Sequence, residues 1–272
     1  MTDLRKIFAV AGRSAVVTGG AGGIGFAIAD ILSDQGARVT LIDRDAARIE
    51  SAISRLAGRE GAVRGATCDV TDAESLRQAF EAAAAAQDGI DIVFANAGIG
   101  PSNPGPRLPD GTVVPEGEIE SYDLEDWRRV LDVNLSGVFL TAREAARHMK
   151  KKGWGRLILT SSVFALTNPL GVGVSYTVSK AAVAHFMRNL ARELGPYGIN
   201  VNAIAPGPFE TEISGGAMHD PAVKAIVGGE VPLGRVAQAD EVKGLALYLA
   251  SPASSFVNGA LISIDGGLAV AS

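Results

Sequence analysis

Cysteine is nearly absent from this chain, which has a single one, Cys68, among 272 residues. An intramolecular disulfide is therefore excluded, and we expect a reducing compartment, with the cytoplasm as the default location. Histidine is also scarce. The three histidines, His148, His185 and His219, are scattered and show no pairing typical of a metal site, so we predict no bound metal.

Long hydrophobic runs and an excess of basic residues are missing as well. No stretch approaches the roughly 20 apolar residues that a membrane-spanning helix needs, and the N-terminal residues lack the pattern of a signal peptide. The formal net charge is −5, which gives no basic surface for nucleic acid or an anionic membrane. We therefore expect neither nucleic acid nor a membrane as a partner.

Hydrophobic residues make up 47% of the chain, enough for the core of one large α/β domain, with two small domains as the alternative. Short β-branched runs alternate with longer helical patterns, without a repeat or a linker. This order predicts a doubly wound parallel sheet (a Rossmann fold) with helices on both faces and residues 1–272 in one domain. The predicted strands are Ser14–Thr18, Arg38–Ile42, Val63–Cys68, Ile90–Ala95, Arg156–Thr160, Asn200–Ile204 and Leu261–Ile264, and the predicted helices include Gly25–Gln35, Ala73–Gln87, Leu124–Lys151 and Ser179–Leu194.

A glycine-rich turn, TGGAGGIG from Thr18 to Gly25, follows the first predicted strand and precedes a helix. A strand, a glycine turn and a helix in this order present free backbone N–H groups and the positive end of a helix dipole to a pyrophosphate. Gly19, Gly23 and Gly25 allow the backbone to turn tightly and to approach the ligand closely. The turn therefore predicts a dinucleotide site.

Asp43 closes the second predicted strand, about twenty residues after the glycines, the spacing typical of an acidic residue that binds the adenosine ribose. A carboxylate at this place accepts hydrogen bonds from the ribose and repels a 2′-phosphate, so Asp43 favours NAD. Arg44 beside it could instead pair with a phosphate, which leaves NADP as the alternative cofactor.

Beyond the glycine turn, several short motifs follow one another along the chain. They are Asp69-Val70, Asn96-Ala97-Gly98, Asn134 in NLSGVF, Ser162 in TSSV, Tyr176 with Lys180 in YTVSK, and Pro206-Gly207 with Thr211 beyond. This set, in this order, resembles the short-chain dehydrogenase/reductase family over nearly the whole chain, and the family's glycine turn has the same TGxxxGxG spacing.

The resemblance implies an oxidoreductase that moves a hydride between NAD and a secondary alcohol or ketone. It implies four catalytic residues, Asn134, Ser162, Tyr176 and Lys180. It also implies a set of cofactor contacts: Gly19, Gly23, Ile24, Gly25, Asp43, Asp69, Val70, Asn96, Ala97, Gly98, Tyr176, Lys180, Pro206, Gly207, Phe209 and Thr211.

Individual roles follow from the same resemblance. Asp69-Val70 would contact the adenine, Thr211 would hold the nicotinamide carboxamide, and Asn134 would hold a water that links Lys180 to solvent. Relatives that prefer NADP often carry a basic residue at the position of Gly22, so a glycine there adds to the case for NAD. Members of the family are commonly tetramers, which predicts a homotetramer.

The residue types suit the implied reaction. Hydride leaves a carbinol carbon only as the hydroxyl proton leaves, so a base within hydrogen-bond reach is needed, and Tyr176 is the predicted general acid and base. Its pKa, about 10 in free tyrosine, is expected to be lowered by Lys180, four residues on along one helix face, and by the positive nicotinamide ring. Ser162 would hydrogen-bond the substrate oxygen.

The spacing of the serine departs from the family pattern. Ser162 precedes Tyr176 by 14 residues, where the serine of relatives commonly precedes the tyrosine by one residue fewer. We assume one extra residue between them and keep Ser161 as the second choice.

Three segments are expected to shape a substrate pocket outside the carboxyl ends of the strands. They are the proline-rich loop 100–122, the mostly apolar loop from Ser162 to Tyr176, and residues 208–234, whose glycines suit a mobile lid. The apolar loop favours a substrate with an apolar body over a bare sugar. Two other functions stay open: an NADPH-dependent ketoreductase such as a 3-oxoacyl carrier-protein reductase, and a cofactor-binding regulatory protein without turnover.

Overall fold

The chain folds around a single seven-stranded sheet, here in a computed structural model that describes residues 4–108, 111–168, 171–213 and 215–271. The strands are β1 (Ser14–Thr18), β2 (Arg38–Asp43), β3 (Val63–Thr67), β4 (Ile92–Ala95), β5 (Gly155–Thr160), β6 (Ile199–Pro206) and β7 (Leu261–Ile264). They lie in the order β3-β2-β1-β4-β5-β6-β7, and neighbouring strands are parallel. Strands β2 and β3 are added on one side of β1 and strands β4 to β7 on the other, so the switch point of the sheet lies between β1 and β4. Ligands of such sheets bind outside the carboxyl ends of the strands at the switch point.

Helices cover both faces of the sheet. They are α1 (Leu4–Ile7), α2 (Gly23–Asp34), α3 (Ala46–Arg55), α4 (Ala73–Gln87), α5 (Leu124–Leu131), α6 (Gly137–Lys152), α7 (Val174–Leu194), α8 (Pro221–Glu230), α9 (Lys243–Ala250) and α10 (Leu268–Ala271). The core has two layers, one that contains residues of α4, α6 and α7 and one that contains residues of α2, α3 and α9. None of the helices in the described part of the chain is long and apolar enough to span a membrane.

The sequence of each strand matches its place in the sheet. Strands β1, β4 and β5 are buried along their whole length and read as nearly continuous apolar runs, because helices cover both of their faces. Strand β3 lies at the edge and has no fully buried residue. The predicted doubly wound parallel sheet is thus confirmed.

Several element boundaries differ from those predicted, most of them by one or two residues, and α7 begins at Val174 rather than Ser179. The fourth strand begins at Ile92 rather than Ile90, because the buried Asp91 is engaged at the strand's start, where its carboxylate accepts hydrogen bonds from the N–H and hydroxyl of Ser14, both at 2.9 Å. Helix α2 begins at Gly23 rather than Gly25. The predicted helix Leu124–Lys151 is interrupted between α5 and α6 by a π-helical turn, Asp132–Ser136.

The two long segments expected near the substrate differ in structure. In its described part, the segment 100–122 has one 3₁₀ turn (Pro115–Gly117) and one antiparallel bridge between Arg107 and Val113. The segment 208–234 contains α8 and a second 3₁₀ turn, Ala217–His219; its function as a lid stays a prediction.

The lone cysteine is part of the core. Cys68 is 4% exposed, and burial raises the pKa of its thiol.

Candidate active site

The side chain of Asn96 joins the carboxyl ends of three strands. Its amide nitrogen donates to the carbonyl oxygen of Thr18, at the end of β1, at 3.2 Å. Its amide oxygen accepts from the hydroxyl of Thr160, at the end of β5, at 3.1 Å. Asn96 itself follows β4, and its backbone N–H donates to the Thr18 hydroxyl at 3.0 Å. The switch point of the sheet is therefore fixed by side chains, and Thr18 and Thr160 are site residues that the motifs did not identify.

The glycine turn fits a dinucleotide phosphate. A Cβ added at Gly25 would overlap the carbonyl oxygen of Gly19, and one added at Gly19 would lie 2.9 Å from the Cα of Ala97. The turn is therefore closed too tightly for larger residues. Gly22 caps α2 without a side-chain hydrogen bond, so the first N–H groups of the helix point outward with no side chain to satisfy them. An anion fits this position.

An acidic and a basic side chain flank the turn. Asp43 accepts hydrogen bonds from the backbone N–H groups of Ala21 and Asp45, both at 3.3 Å, so its carboxylate lies at the turn as the sequence predicted. The guanidinium of Arg48, in the first turn of α3, lies where a side chain at Gly22 would project, since an added Cβ would overlap it.

Arg44 was the basic residue expected at this point from the sequence, and Arg48 was not expected. Arg44 is exposed on the connection between β2 and α3. The sequence does contain a signal for Arg48: it is a basic residue in the first turn of the helix that follows Asp43.

Helix α7 brings Tyr176 and Lys180 to the end of β5. Lys180 is 2% exposed, and its Nζ donates to the carbonyl oxygen of Thr160 at 3.0 Å and lies 5.6 Å from the centroid of the Tyr176 ring. Ser162 follows β5, and its hydroxyl interacts with the Tyr176 phenol. The three side chains that were expected to act together are thus adjacent.

Ser161, the second choice for the catalytic serine, has another role. Its hydroxyl donates to the carbonyl oxygen of Lys180 at 2.7 Å and is 2% exposed. This bond attaches β5 to the backbone of α7, and it turns the hydroxyl away from the Tyr176 phenol. The geometry favours Ser162.

Burial dominates the electrostatics of this pair. It raises the pKa of the Tyr176 phenol, although the hydrogen bond with Ser162 acts in the opposite direction. The pKa of Tyr176 is therefore above its usual value in the chain by itself, and the expectation that Lys180 and the nicotinamide ring together lower it stays a prediction. Burial also lowers the pKa of Lys180 from 10.5 to about 8.

Asn134 lies in the π-helical turn and holds the chain that follows β4. Its side chain accepts from the N–H of Ile99 at 2.8 Å and donates to the carbonyl oxygen of Ile99 at 2.9 Å and to the Ser179 hydroxyl at 3.2 Å. A Cβ added at Gly98 would lie 3.3 Å from both the Asn134 amide oxygen and the Lys180 Nζ. Asn134 therefore lies beside α7, while its predicted water stays a prediction.

The remaining predicted cofactor contacts divide into two groups. Thr211 lies over the glycine turn, with its methyl group 3.2 Å from a Cβ added at Gly23, and Asp69 is exposed and accepts from the Thr71 hydroxyl at 2.7 Å. The second group consists mainly of residues that pack in the interior: Phe209 is 5% exposed and Val70 is 7% exposed. The other members of this second group are Ile24, which packs against the core, and Pro206-Gly207, where β6 ends against Asp265.

Comparison with known proteins places this site in a family. A family model described as enoyl-(acyl carrier protein) reductase matches residues 19–269. The chain belongs to the short-chain dehydrogenase/reductase family. The resemblance drawn from the motifs is therefore confirmed.

Individual members of the short-chain dehydrogenase/reductase family resemble it over almost their full length. D-threitol dehydrogenase of Mycolicibacterium smegmatis is 36% identical over 97% of this chain and 95% of its own. The 3-oxoacyl-(acyl-carrier-protein) reductase FabG of Aquifex aeolicus is 34% identical over 94% of this chain and 97% of its own. The solved gluconate 5-dehydrogenase of Burkholderia cenocepacia, in complex with NADP and tartrate, has a TM-score of 0.87 and 33% identity, and covers 99% of this chain and 100% of its own.

The buried Lys180 predicts a stabilising substitution. Burial lowers the pKa of Lys180 from 10.5 to about 8, so the folded chain holds this proton less tightly than the unfolded chain. The charged lysine therefore destabilises the fold in full below about pH 8, and this penalty declines as the pH rises towards 10.5. Lys180→Met keeps a straight side chain without the charge. We expect its Tm to exceed that of the wild type at pH 7, by a margin that shrinks above pH 8, in thermal unfolding measured across this range.

The exposed Lys151 supplies the control. Lys151→Met removes the same charge from the surface and should change Tm by a small amount that does not depend on pH over this range. A lower Tm for Lys180→Met than for the wild type at pH 7 would show that the bond to the Thr160 carbonyl outweighs the burial of charge.

Proposed function

We propose that the protein is an oxidoreductase that moves a hydride between a nicotinamide cofactor and a secondary alcohol or ketone. The observation that carries the proposal is the convergence of the Ser162 hydroxyl, the Tyr176 phenol and the Lys180 ammonium beside an uncapped glycine turn. A regulatory protein without turnover would have no use for a buried lysine ammonium beside a phenol, since burial of a charge disfavours folding.

The chemistry follows from these side chains. In alcohol oxidation, the Tyr176 oxygen takes the hydroxyl proton while the electron pair of the C–H bond leaves with the hydrogen as hydride. The nicotinamide ring, when bound, supplies the acceptor or donor of that hydride. Ser162 donates a hydrogen bond to the substrate oxygen and orients it. In its ammonium form, Lys180 favours the phenolate over the phenol. Ketone reduction runs the same steps backwards.

The substrate class rests on the segment between Ser162 and Tyr176. Leu166 is 50% exposed there and Phe164 is partly exposed, which supports a substrate with an apolar body. A 3-oxoacyl thioester of a carrier protein is the second candidate, supported by the similarity to FabG. A screen of alcohols, ketones and a 3-oxoacyl thioester, followed at the absorbance band of the reduced nicotinamide, distinguishes the two.

The assignment of the base gives the first test of function. Tyr176→Phe removes only the hydroxyl, so the ring still packs and Tm should change little. Loss of a general acid and base typically lowers kcat by roughly 10² to 10⁴-fold, and the Kd of the reduced cofactor, measured by its fluorescence, should stay close to that of the wild type. A variant that binds the cofactor normally and retains wild-type kcat would remove Tyr176 from the mechanism.

Cofactor preference depends on two opposed charges at the turn. The Asp43 carboxylate is held at the turn by two backbone N–H groups and repels a 2′-phosphate. The Arg48 guanidinium attracts one, but it is exposed, so solvent and salt screen it. We therefore propose NAD as the preferred cofactor, with NADP accepted more weakly. The NADP of the gluconate 5-dehydrogenase complex is consistent with a family that uses both.

This balance predicts different effects for two arginines. Arg48→Ala should raise the Kd of NADPH about tenfold, or about 1.4 kcal/mol, and leave the Kd of NADH nearly unchanged, because only NADPH carries the 2′-phosphate. Arg44→Ala is the matched control and should change neither Kd. Titration by cofactor fluorescence measures all four values. Equal weakening of both cofactors by Arg48→Ala would mean that Arg48 binds a group common to them.

The assembly state is proposed on similar grounds. Phe139 on α6 is 46% exposed, and its ring lies 6.1 Å from that of Phe186 on α7. An apolar surface of this kind is typical of an interface, which supports a homotetramer. Sedimentation velocity at micromolar concentration tests it, and a single species of 28.0 kDa would contradict it.

A cytoplasmic location stays a prediction from the cysteine content.

A further inference from the structure

The inserted segment 100–122 packs directly onto the residues that precede α7. A Cβ added at Gly105 would lie 2.9 Å from the carbonyl oxygen of Val172, and one added at Gly173 would lie 2.7 Å from the carbonyl oxygen of Asn103. Backbone therefore lies against backbone with no room for a side chain between them. Because Val172 and Gly173 lead into α7 just before Tyr176, the insertion supports the end of the loop that carries the proposed base.

A hydrogen-bond network joins both ends of the insertion to α7. The Tyr122 hydroxyl lies 2.7 Å from the Ser175 hydroxyl and donates to the Asp126 carboxylate at 3.2 Å. The other oxygen of Asp126 accepts from the N–H of Ser102 at 3.0 Å and from Arg129 at 2.6 Å. The network therefore begins at the start of the insertion, passes through α5 and ends one residue before Tyr176.

The direction of each bond follows from the charges. Burial opposes ionisation of Asp126, but the hydrogen bonds from Arg129 and Ser102 outweigh it and keep its pKa below the usual value, so the carboxylate only accepts. Burial raises the pKa of Tyr122, so its proton is present and goes to Asp126. The Ser175 hydroxyl must then donate to Tyr122. Ser175 is 0% exposed and has no solvent to replace this partner.

We infer that Tyr122 is a positioning residue, which holds the first turn of α7 through Ser175 and so sets the place of the Tyr176 hydroxyl. This inference rests on the proposed function of Tyr176. The insertion then acts as a fixed support of the active site, because Asp126 and Arg129 connect its two ends to α5. Misplacement of a catalytic group by a fraction of an ångström to 1 Å slows the chemical step far more than it weakens binding.

Tyr122→Phe and Ser175→Ala test the inference separately and together. Each removes one side of the same bond, so each should lower kcat about tenfold while the KM of the cofactor changes by less than about twofold. The double variant should be no worse than Tyr122→Phe alone, since Ser175→Ala removes a bond that Tyr122→Phe already breaks. A deuterated alcohol should show an isotope effect on kcat at least as large as in the wild type, because the chemical step is the one slowed.

A titration without cofactor gives an independent readout. The ionisation of Tyr176 is obtained as the difference between the tyrosinate absorbance of each protein and that of its Tyr176→Phe counterpart. Burial is the main cause of the raised pKa of Tyr176, so loosening the first turn of α7 in Tyr122→Phe should lower this pKa towards that of free tyrosine. Tyr197→Phe, at a tyrosine that is 47% exposed beyond the far end of α7, should leave both kcat and this pKa unchanged.

The outcomes separate the two proposals. If Tyr176→Phe is inactive while Tyr122→Phe and Ser175→Ala keep wild-type kcat and differ only in Tm, the network merely stabilises the fold and the positioning role is wrong. A kcat loss in both that is additive in the double variant would also reject the shared bond as its cause. If Tyr176→Phe itself turns over normally, the proposed function of Tyr176 has failed, whatever the other variants do.

Discussion

The carboxyl end of a parallel strand leaves backbone groups without ladder partners, and the rest of this site depends on how Asn96 satisfies them. A carboxamide is suited to the position because it donates and accepts at once, and here it bonds to the carbonyl of Thr18 and to the hydroxyl of Thr160. The same strand end that Asn96 fixes also offers the Thr160 carbonyl oxygen to Lys180. The glycine turn and α7 are therefore positioned by one cluster of bonds at the switch point of the sheet.

Hydrophobic patterning was sufficient for the sheet and insufficient for details that arise from tertiary contacts. The bounds of β1 and β7 agree with prediction because short apolar runs with turn signals on both sides mark strands clearly. The π-helical turn around Asn134 was not foreseen, because a single wider turn leaves the apolar periodicity on either side almost unchanged.

The site shows the same division between local and tertiary information. Tyr176 and Lys180 were predictable because both lie on one helix face at a fixed spacing. The placement of Arg48 over Gly22 was not, because it depends on the path of α3 past the end of β2. Ser179 was missed for a similar reason: its hydroxyl accepts from the Asn134 side chain at 3.2 Å, a contact that exists only once α7 has packed against the π-helical turn.

The raised pKa of Tyr176 connects the fold to the direction of reaction. A protonated phenol is the form that ketone reduction requires, and an ionised phenol is the form that alcohol oxidation requires. If Tyr176 is the acid and base, as proposed, its burial favours the reductive form, and rising pH would shift the balance towards oxidation. The buried Lys180 lowers the stability of the fold while its charge serves the proposed reaction, a compromise between stability and activity that is common in active sites.

The burial of Cys68 has a practical consequence for studying motion in this protein. Thiol reagents attack the thiolate, and Cys68 is both 4% exposed and held in its thiol form by a raised pKa. The native chain is therefore almost inert to maleimide and iodoacetamide dyes. A cysteine introduced at an exposed position, such as Val113 in the insertion or Ile226 on α8, would carry a single fluorophore, and its anisotropy would report how each segment moves as ligands bind.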